Sequence, residues 1–181
     1  MIRRTALAGW AALALSSAAC GGGEAPPREA ARPVLSFDTT RVRVVSDGDT
    51  IPLTVELAES EVQRSYGLMQ RDSLPEGHGM LFTYERVQPP TAGFWMWRTR
   101  IPLDIAFLDE TGRIVAIRTM QPCDRPDPVC PSYEPGAAYR SALEVPAGWF
   151  EARGVELGDR VERAGGAAPP ASDPPSEPLP E

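Results

Sequence analysis

Residues 103–108 read Leu-Asp-Ile-Ala-Phe-Leu and are apolar on both parities. A strand with one wet face alternates, whereas a run apolar on both sides asks for cover on both faces. The chain around this strand therefore has to supply more than one layer. A turn signal, Asp109-Glu110-Thr111-Gly112, follows at once, and Ile114-Val115-Ala116-Ile117 makes the hairpin partner.

The other elements are short. Residues 41–45 alternate, Asp47-Gly48-Asp49 turns the chain, and 51–58 follows as a second strand. Pro52 cannot donate to a ladder, so it belongs at the start of that strand or on an edge. Ser60 and Gln63 have capping-box spacing, Val62 and Tyr66 fall on one face, and Gly67 fits a C-cap. The pattern predicts a helix over 61–66 that presents Arg64 near its end. A loop anchored by Leu68, Met69 and Leu74 then leads to a strand over Met80–Tyr84, and Pro89-Pro90 break the chain. Beyond the hairpin come a proline-rich loop, a strand near Tyr139–Val145, a helical turn within 147–153 and a closing segment over Val155–Val161. Many short strands at this spacing predict a mainly β domain, a sandwich or barrel with one or two short helices.

Proline and glycine concentrate toward the two ends and mark the domain limits. Residues 1–19 read as a signal peptide: Arg3 and Arg4 precede an apolar stretch, Ala6 to Leu15, that is too short to span a bilayer. Ser17-Ala18-Ala19-Cys20 resembles a bacterial lipobox, with Ser17 where Leu is usual, and implies lipid attached to Cys20. Residues 20–33 form a Gly- and Pro-rich tether. Residues 164–181 form a polar, Pro-rich, acidic tail that lacks the apolar area needed to offset its chain entropy, so disorder is expected there. One folded domain, 34–163, remains. The whole chain carries a formal charge of −7, and removing the leader, with its two Arg and no acid, takes this to −9. All 18 bases are Arg and none forms a run, which argues against nucleic-acid partners because phosphate neutralisation drives that binding.

Several motifs then fall in one order: Glu56-Leu57-Ala58, Arg64, Gly67-Leu68-Met69 with Arg71, Gly79-Met80-Leu81-Phe82 and Phe94-Trp95-Met96. Thr99, Ile101-Pro102-Leu103-Asp104, Pro122-Cys123, Cys130-Pro131, Leu143-Glu144-Val145 and Gly148 continue it. In these the chain resembles the prokaryotic family called domain of unknown function 192, over about residues 51–161. The resemblance implies a compact, mainly β domain, often exported, with no agreed activity. The family usually has Asn before the Thr of its Trp-Met motif, and here Arg98 stands in that place.

The candidate ligand-binding residues are Arg64, Arg71, Trp95, Trp97, Arg98, Thr99 and Asp104. Asp104 sits in an apolar run, and a buried carboxylate needs a partner. Arg64 and Arg71 are the natural ones, giving either an architectural ion pair or an Arg-clamped site for an anion or polar ligand. Trp95 and Trp97 share one face of an extended stretch, Phe94 and Met96 the other. One face is core; the second is either core as well or a stacking platform in a groove. Met69, Met80 and Met96 are soft atoms that could hold Cu(I) or simply fill gaps in a core. His78, the only His, reads as a loop residue between two Gly. No nucleophile motif, zinc set or phosphate loop is present, so no metal or cofactor is expected. With Cys20 acylated in an oxidising compartment, Cys123 and Cys130 are expected to form a disulfide, the rival being two free thiols for metal or redox chemistry.

Three classes of function remain open. The first is a lipid-anchored envelope protein that binds a small ligand or envelope polymer without catalysis. The second is an assembly protein that offers the same surface to an envelope protein partner. The third is an enzyme using Asp104 or Glu144 with Arg64 or Arg71. A solvent-open pocket beside Asp104 favours the first or third, and a flat exposed apolar patch favours the second.

Overall fold

A computed structural model describes residues 35–123 and 130–164. The expected leader, the expected tether with Cys20 and the expected tail beyond Ala164 lie outside the described residues. The fold is mainly β. Seven strands form one sheet: β1 (Thr39–Ser46), β2 (Asp49–Ala58), β3 (His78–Gln88), β5 (Leu103–Leu108), β6 (Ile114–Met120), β8 (Tyr139–Pro146) and β9 (Arg160–Arg163). Their order is β6-β5-β8-β3-β2-β1-β9. A second, two-stranded sheet pairs β4 (Phe94–Trp95) with β7 (Ser132–Tyr133). One helix, α1 (Glu61–Tyr66), and one 3₁₀ turn, Glu151–Arg153, complete the elements.

Strand β2 runs parallel to β3, while the other neighbours in the large sheet are antiparallel. A parallel pair needs a crossover connection, and α1 with the loop to His78 supplies it. Pro52 lies opposite Arg43 of β1, and the pairing of β2 with β3 starts only at Thr54, so on its second side Pro52 has no strand to serve.

The two edges of the large sheet come together. Ile114 N–H donates to Asp159 O at 2.7 Å, Gly158 N–H to Ile114 O at 2.9 Å and Val161 N–H to Gly112 O at 2.8 Å. The sheet thus rolls up on itself and leaves little open edge at this seam. Gly112 has φ +79°, and a Cβ there would run into the Val161 carbonyl oxygen, so only glycine allows the close approach. Asp109 sets the turn before the seam: its Oδ1 accepts from the N–H groups of Thr111 and Arg113 and from the Thr111 hydroxyl.

Burial divides by parity. Ala106 and Leu108 join Val42, Val44, Leu53, Val55, Leu143 and Val145 in an inner cluster, which Trp149 and Phe150 enter from the turn after β8. Leu103, Ile105 and Phe107 face outward and join Met80, Phe82, Met96, Tyr139 and Ala142 in a second cluster. Every residue of β5 is buried, as the two-sided apolar run requires. The outer cluster is roofed by the chain on either side of β4 and β7, which the Cys123–Cys130 disulfide closes. The expected hairpin, helix and disulfide are all present. The residues between those cysteines, 124–129, lie outside the described set.

Candidate functional site

The site grows from α1. The Ser60 hydroxyl accepts from Gln63 N–H at 3.2 Å, and the Gln63 side chain accepts from Ser60 N–H at 2.9 Å. This reciprocal cap starts the helix at a fixed point, and Gly67 at φ +49° ends it. Six residues bury nothing fully, so the helix depends on its caps and on Arg64. The Arg64 guanidinium donates to the carbonyls of Glu59 and Thr83, the latter at 3.0 Å, and lies 4.9 Å over the Tyr84 ring. Held in this way, α1 turns Val62 and Tyr66 outward, 66% and 39% exposed.

The facing wall comes from the segment 94–98. Phe94 packs edge-on against Phe82 at 5.0 Å and Phe107 at 5.6 Å, and Met96 is buried. With those two side chains inside, strand geometry sends Trp95 and Trp97 outside. Their rings stack at 5.8 Å with 26° between the planes, and the Arg98 guanidinium lies 4.2 Å over Trp97. Trp95 is 50% exposed. Gln70 N–H donates to Arg98 O at 2.8 Å and ties the loop after α1 to this wall.

Between the walls runs a groove with two halves. The apolar half, about 480 Å³, is lined by Val62, Tyr66, Met69, Trp95, Trp97 and Arg98, among others. The polar half, about 610 Å³, is lined by Glu59, Arg64, Tyr84, Glu85, Arg86 and Trp95, among others. Trp95, Glu61 and Ser65 line both halves.

The structure thus brings together Arg64, Trp95, Trp97 and Arg98 of the residues singled out from sequence, and places three elsewhere. Arg71 forms a two-point pair with Glu56, at 2.6 and 2.5 Å. Thr99 is buried beside the disulfide, its carbonyl accepting from Cys123 N–H at 3.3 Å. Asp104 corrects an expectation: neither Arg64 nor Arg71 is its partner. Its carboxylate accepts from the Thr119 hydroxyl and from Gly148 N–H, both at 2.8 Å, and it is 3% exposed. Parity explains this. Asp104 shares the inner face with Ala106 and Leu108, whereas Glu56 and Tyr84, the neighbours of Arg71 and Arg64, share the outer face with Ala58 and Phe82. The sheet lies between the expected partners. Asp104 lines a separate pocket of about 440 Å³ with Thr119, Gly148, Glu151 and Glu156. Met80 and Met96 are core residues and Met69 lines the groove. Among the described residues no cluster of His, Cys, Asp and Glu could hold a metal ion.

Sequence reasoning paired Val62 with Tyr66 on one helix face but left both out of the candidate site. Their exposed apolar side chains beside a Trp pair carry the signal. Glu144 is a second surprise. It faces the outer cluster between Met80 and Ile105 and is 4% exposed. Burial pushes its pKa from the ordinary 4.5 up to about 8. Burial likewise raises the Tyr84 hydroxyl.

A group whose pKa is raised by folding binds a proton more tightly in the folded state, so its contribution to stability is complete below the unfolded value and is lost as pH rises toward the folded one. For Glu144 the window runs from about pH 4.5 to about pH 8. The Glu144→Gln variant, followed by thermal melts at several pH values, is expected to lose that decline and to melt above wild type at pH 8. Parallel melting curves for the two proteins would show that Glu144 carries no such linkage.

Comparison with known proteins agrees with the fold and the motifs. The family model DUF192, described as "Uncharacterized ACR, COG1430", matches residues 42–163. The UPF0127 protein PYRAB11210 of Pyrococcus abyssi is 30% identical over 111 residues, 60% of this chain and 84% of that protein. A crystal structure described as a putative transcription regulator (R01717) from Sinorhizobium meliloti superposes with a TM-score of 0.63 at 34% identity, covering 72% of this chain and 97% of that one. A protein of unknown function from Novosphingobium aromaticivorans gives 0.61 at 30% identity, covering 72% and 89%. The motifs, the rolled sheet and these matches agree: the chain belongs to the DUF192 family.

Proposed function

We propose that this protein is a lipid-anchored envelope protein that binds a small ligand or a unit of an envelope polymer, without catalysis, in the groove between α1 and Trp95. The half-exposed, stacked Trp pair carries this reading. Two indole rings stacked 26° apart at the wall of an open groove offer an apolar face, and the charged side chains of the other half offer hydrogen bonds to a polar rim. A sugar ring has both kinds of surface. Catalysis is a poorer reading because the two buried carboxylates, Asp104 and Glu144, line neither half of the groove. Transcription regulation, the role in the description of the Sinorhizobium relative, is a poorer reading, since a chain at −7 with no basic run opposes phosphate.

One observation favours a protein partner as the second reading. Val62 and Tyr66 add aliphatic and aromatic surface at the rim of the groove, and exposed apolar surface of this kind marks protein contacts.

A fluorescence titration of the protein with envelope glycans and small polar ligands tests the first reading. A ligand is expected to change the indole emission, and Trp95→Ala is expected to weaken it at least tenfold, about 1.4 kcal/mol. Asp104→Asn is expected to bind like wild type. Equal affinity in the Trp95 variant would remove the groove from the account. The anchor is tested separately: Cys20→Ser is expected to release the protein from membranes into the soluble fraction. Membrane association unchanged in that variant would reject the lipid anchor.

A further inference from the structure

We propose that the groove is occupied by the chain's own C-terminal segment, residues 165–181, in competition with other ligands. This rests on the reading of the groove as the binding site and adds what competes for it.

Three observations converge. The first is where the described chain ends. Ala164 N–H donates to Arg41 O at 2.8 Å, and the preceding Arg163 pairs with Glu59 at 3.6 Å. Glu59 lines the polar half of the groove. The C-terminal segment therefore leaves the domain beside the groove. Its 17 residues, at about 3.1 Å each when extended as polyproline II, reach about 50 Å, more than a short groove needs.

The second is composition. The segment ends Pro169-Pro170-Ala171-Ser172-Asp173-Pro174-Pro175-Ser176-Glu177-Pro178-Leu179-Pro180-Glu181, six prolines in all. Proline fixes φ near the polyproline II value, so little chain entropy remains to be lost on docking. Such segments are recognised by shallow grooves walled with aromatic rings, where proline rings lie flat between them. Trp95, Trp97 and Tyr66 line a groove of that kind.

The third is charge. The segment carries Asp173, Glu177 and Glu181 and no base. Arg98 lies exposed over Trp97, and Arg64 and Arg86 line the polar half among Glu59, Glu61 and Glu85. Carboxylates spaced along an extended chain can reach these guanidinium groups while the prolines lie on the indoles. The result is a tethered competitor. A tether keeps its effective concentration near the millimolar range, so even a weak contact holds the groove until a tighter ligand displaces it.

The test uses the full chain and a full-length variant in which Pro169, Pro170, Pro174, Pro175, Pro178 and Pro180 are all Ser, so that length and charge stay the same. Indole N–H signals of Trp95, Trp97 and Trp149 are compared by NMR at two protein concentrations. The proposal expects shifts at Trp95 and Trp97, none at buried Trp149, independence of concentration, and partial return of the wild-type positions when a synthetic 165–181 peptide is added to the Ser variant. Superimposable spectra would overturn it. Shifts that grow with protein concentration would also overturn it, assigning the contact to a second copy. The same Ser variant, titrated with the ligands named above, separates the two readings. Binding there with superimposable spectra leaves the groove as a ligand site and rejects the tail. Tail-dependent shifts with no ligand bound at any concentration keep the tail and reject the ligand reading.

Discussion

No residue of β5 is exposed, and most of the molecule follows from satisfying both of its faces. The inner face is met when the sheet rolls up and its edges join through Ile114, Asp159 and Val161. The outer face needs a lid, and here the lid is irregular chain pinned by side chains. Phe94, Met96 and Tyr133 pack down onto Phe82, Phe107 and Tyr139, and the Cys123–Cys130 disulfide holds the two strands of irregular chain together. Burying aromatic area of this amount contributes about 1.5–3 kcal/mol per side chain, enough to order a segment with almost no regular backbone structure of its own. Extended backbone alternates, so anchoring Phe94 and Met96 leaves Trp95 and Trp97 on the outside. The outward Trp face is thus a consequence of how the core is roofed.

The same geometry accounts for Arg98. Its φ is +56°, in the left-handed region that costs most side chains about 1–2 kcal/mol. The family resemblance implies Asn there, and Asn is among the few residues that adopt this conformation readily. The common Asn is therefore explained by the backbone turn that redirects the chain after the Trp pair. In this chain Arg98 takes the same turn, its N–H donating to Cys123 O at 2.9 Å, and its guanidinium covers Trp97. The stacking offsets part of the backbone cost and adds a positive charge to the groove.

What was legible in the sequence was local. The capping box at Ser60 and Gln63 fixed α1 to the residue, the two-sided run fixed β5, and the alternation of Phe94 to Trp97 put the two Trp on one face and Phe94 with Met96 on the other. The cysteine count pointed to the disulfide. What depended on pairing between distant segments was not legible. The parallel β2–β3 pair and the joined edges have no signature in any one stretch. The partner of Asp104 was misread because charge suggested Arg, while parity placed Asp104 across the sheet from both candidates, beside the Thr119 hydroxyl and Gly148 N–H. Arg71 found Glu56 instead, 15 residues earlier in the chain but adjacent in space. Burial of Glu144 could not be seen from its apolar neighbours alone, since a surface strand can show the same triplet.

The central claim is that Phe94, through its contacts with Phe82 and Phe107, holds the Trp95–Trp97 wall as a module laid on an independently stable sheet. Hydrogen–deuterium exchange on wild type and Phe94→Ala tests it directly. The account predicts that residues 94–99 and 130–133 lose protection while β1, β2 and β9 keep theirs, because only the roof has lost its anchor. Loss of protection spread evenly over all strands, or no change in 94–99, would contradict it.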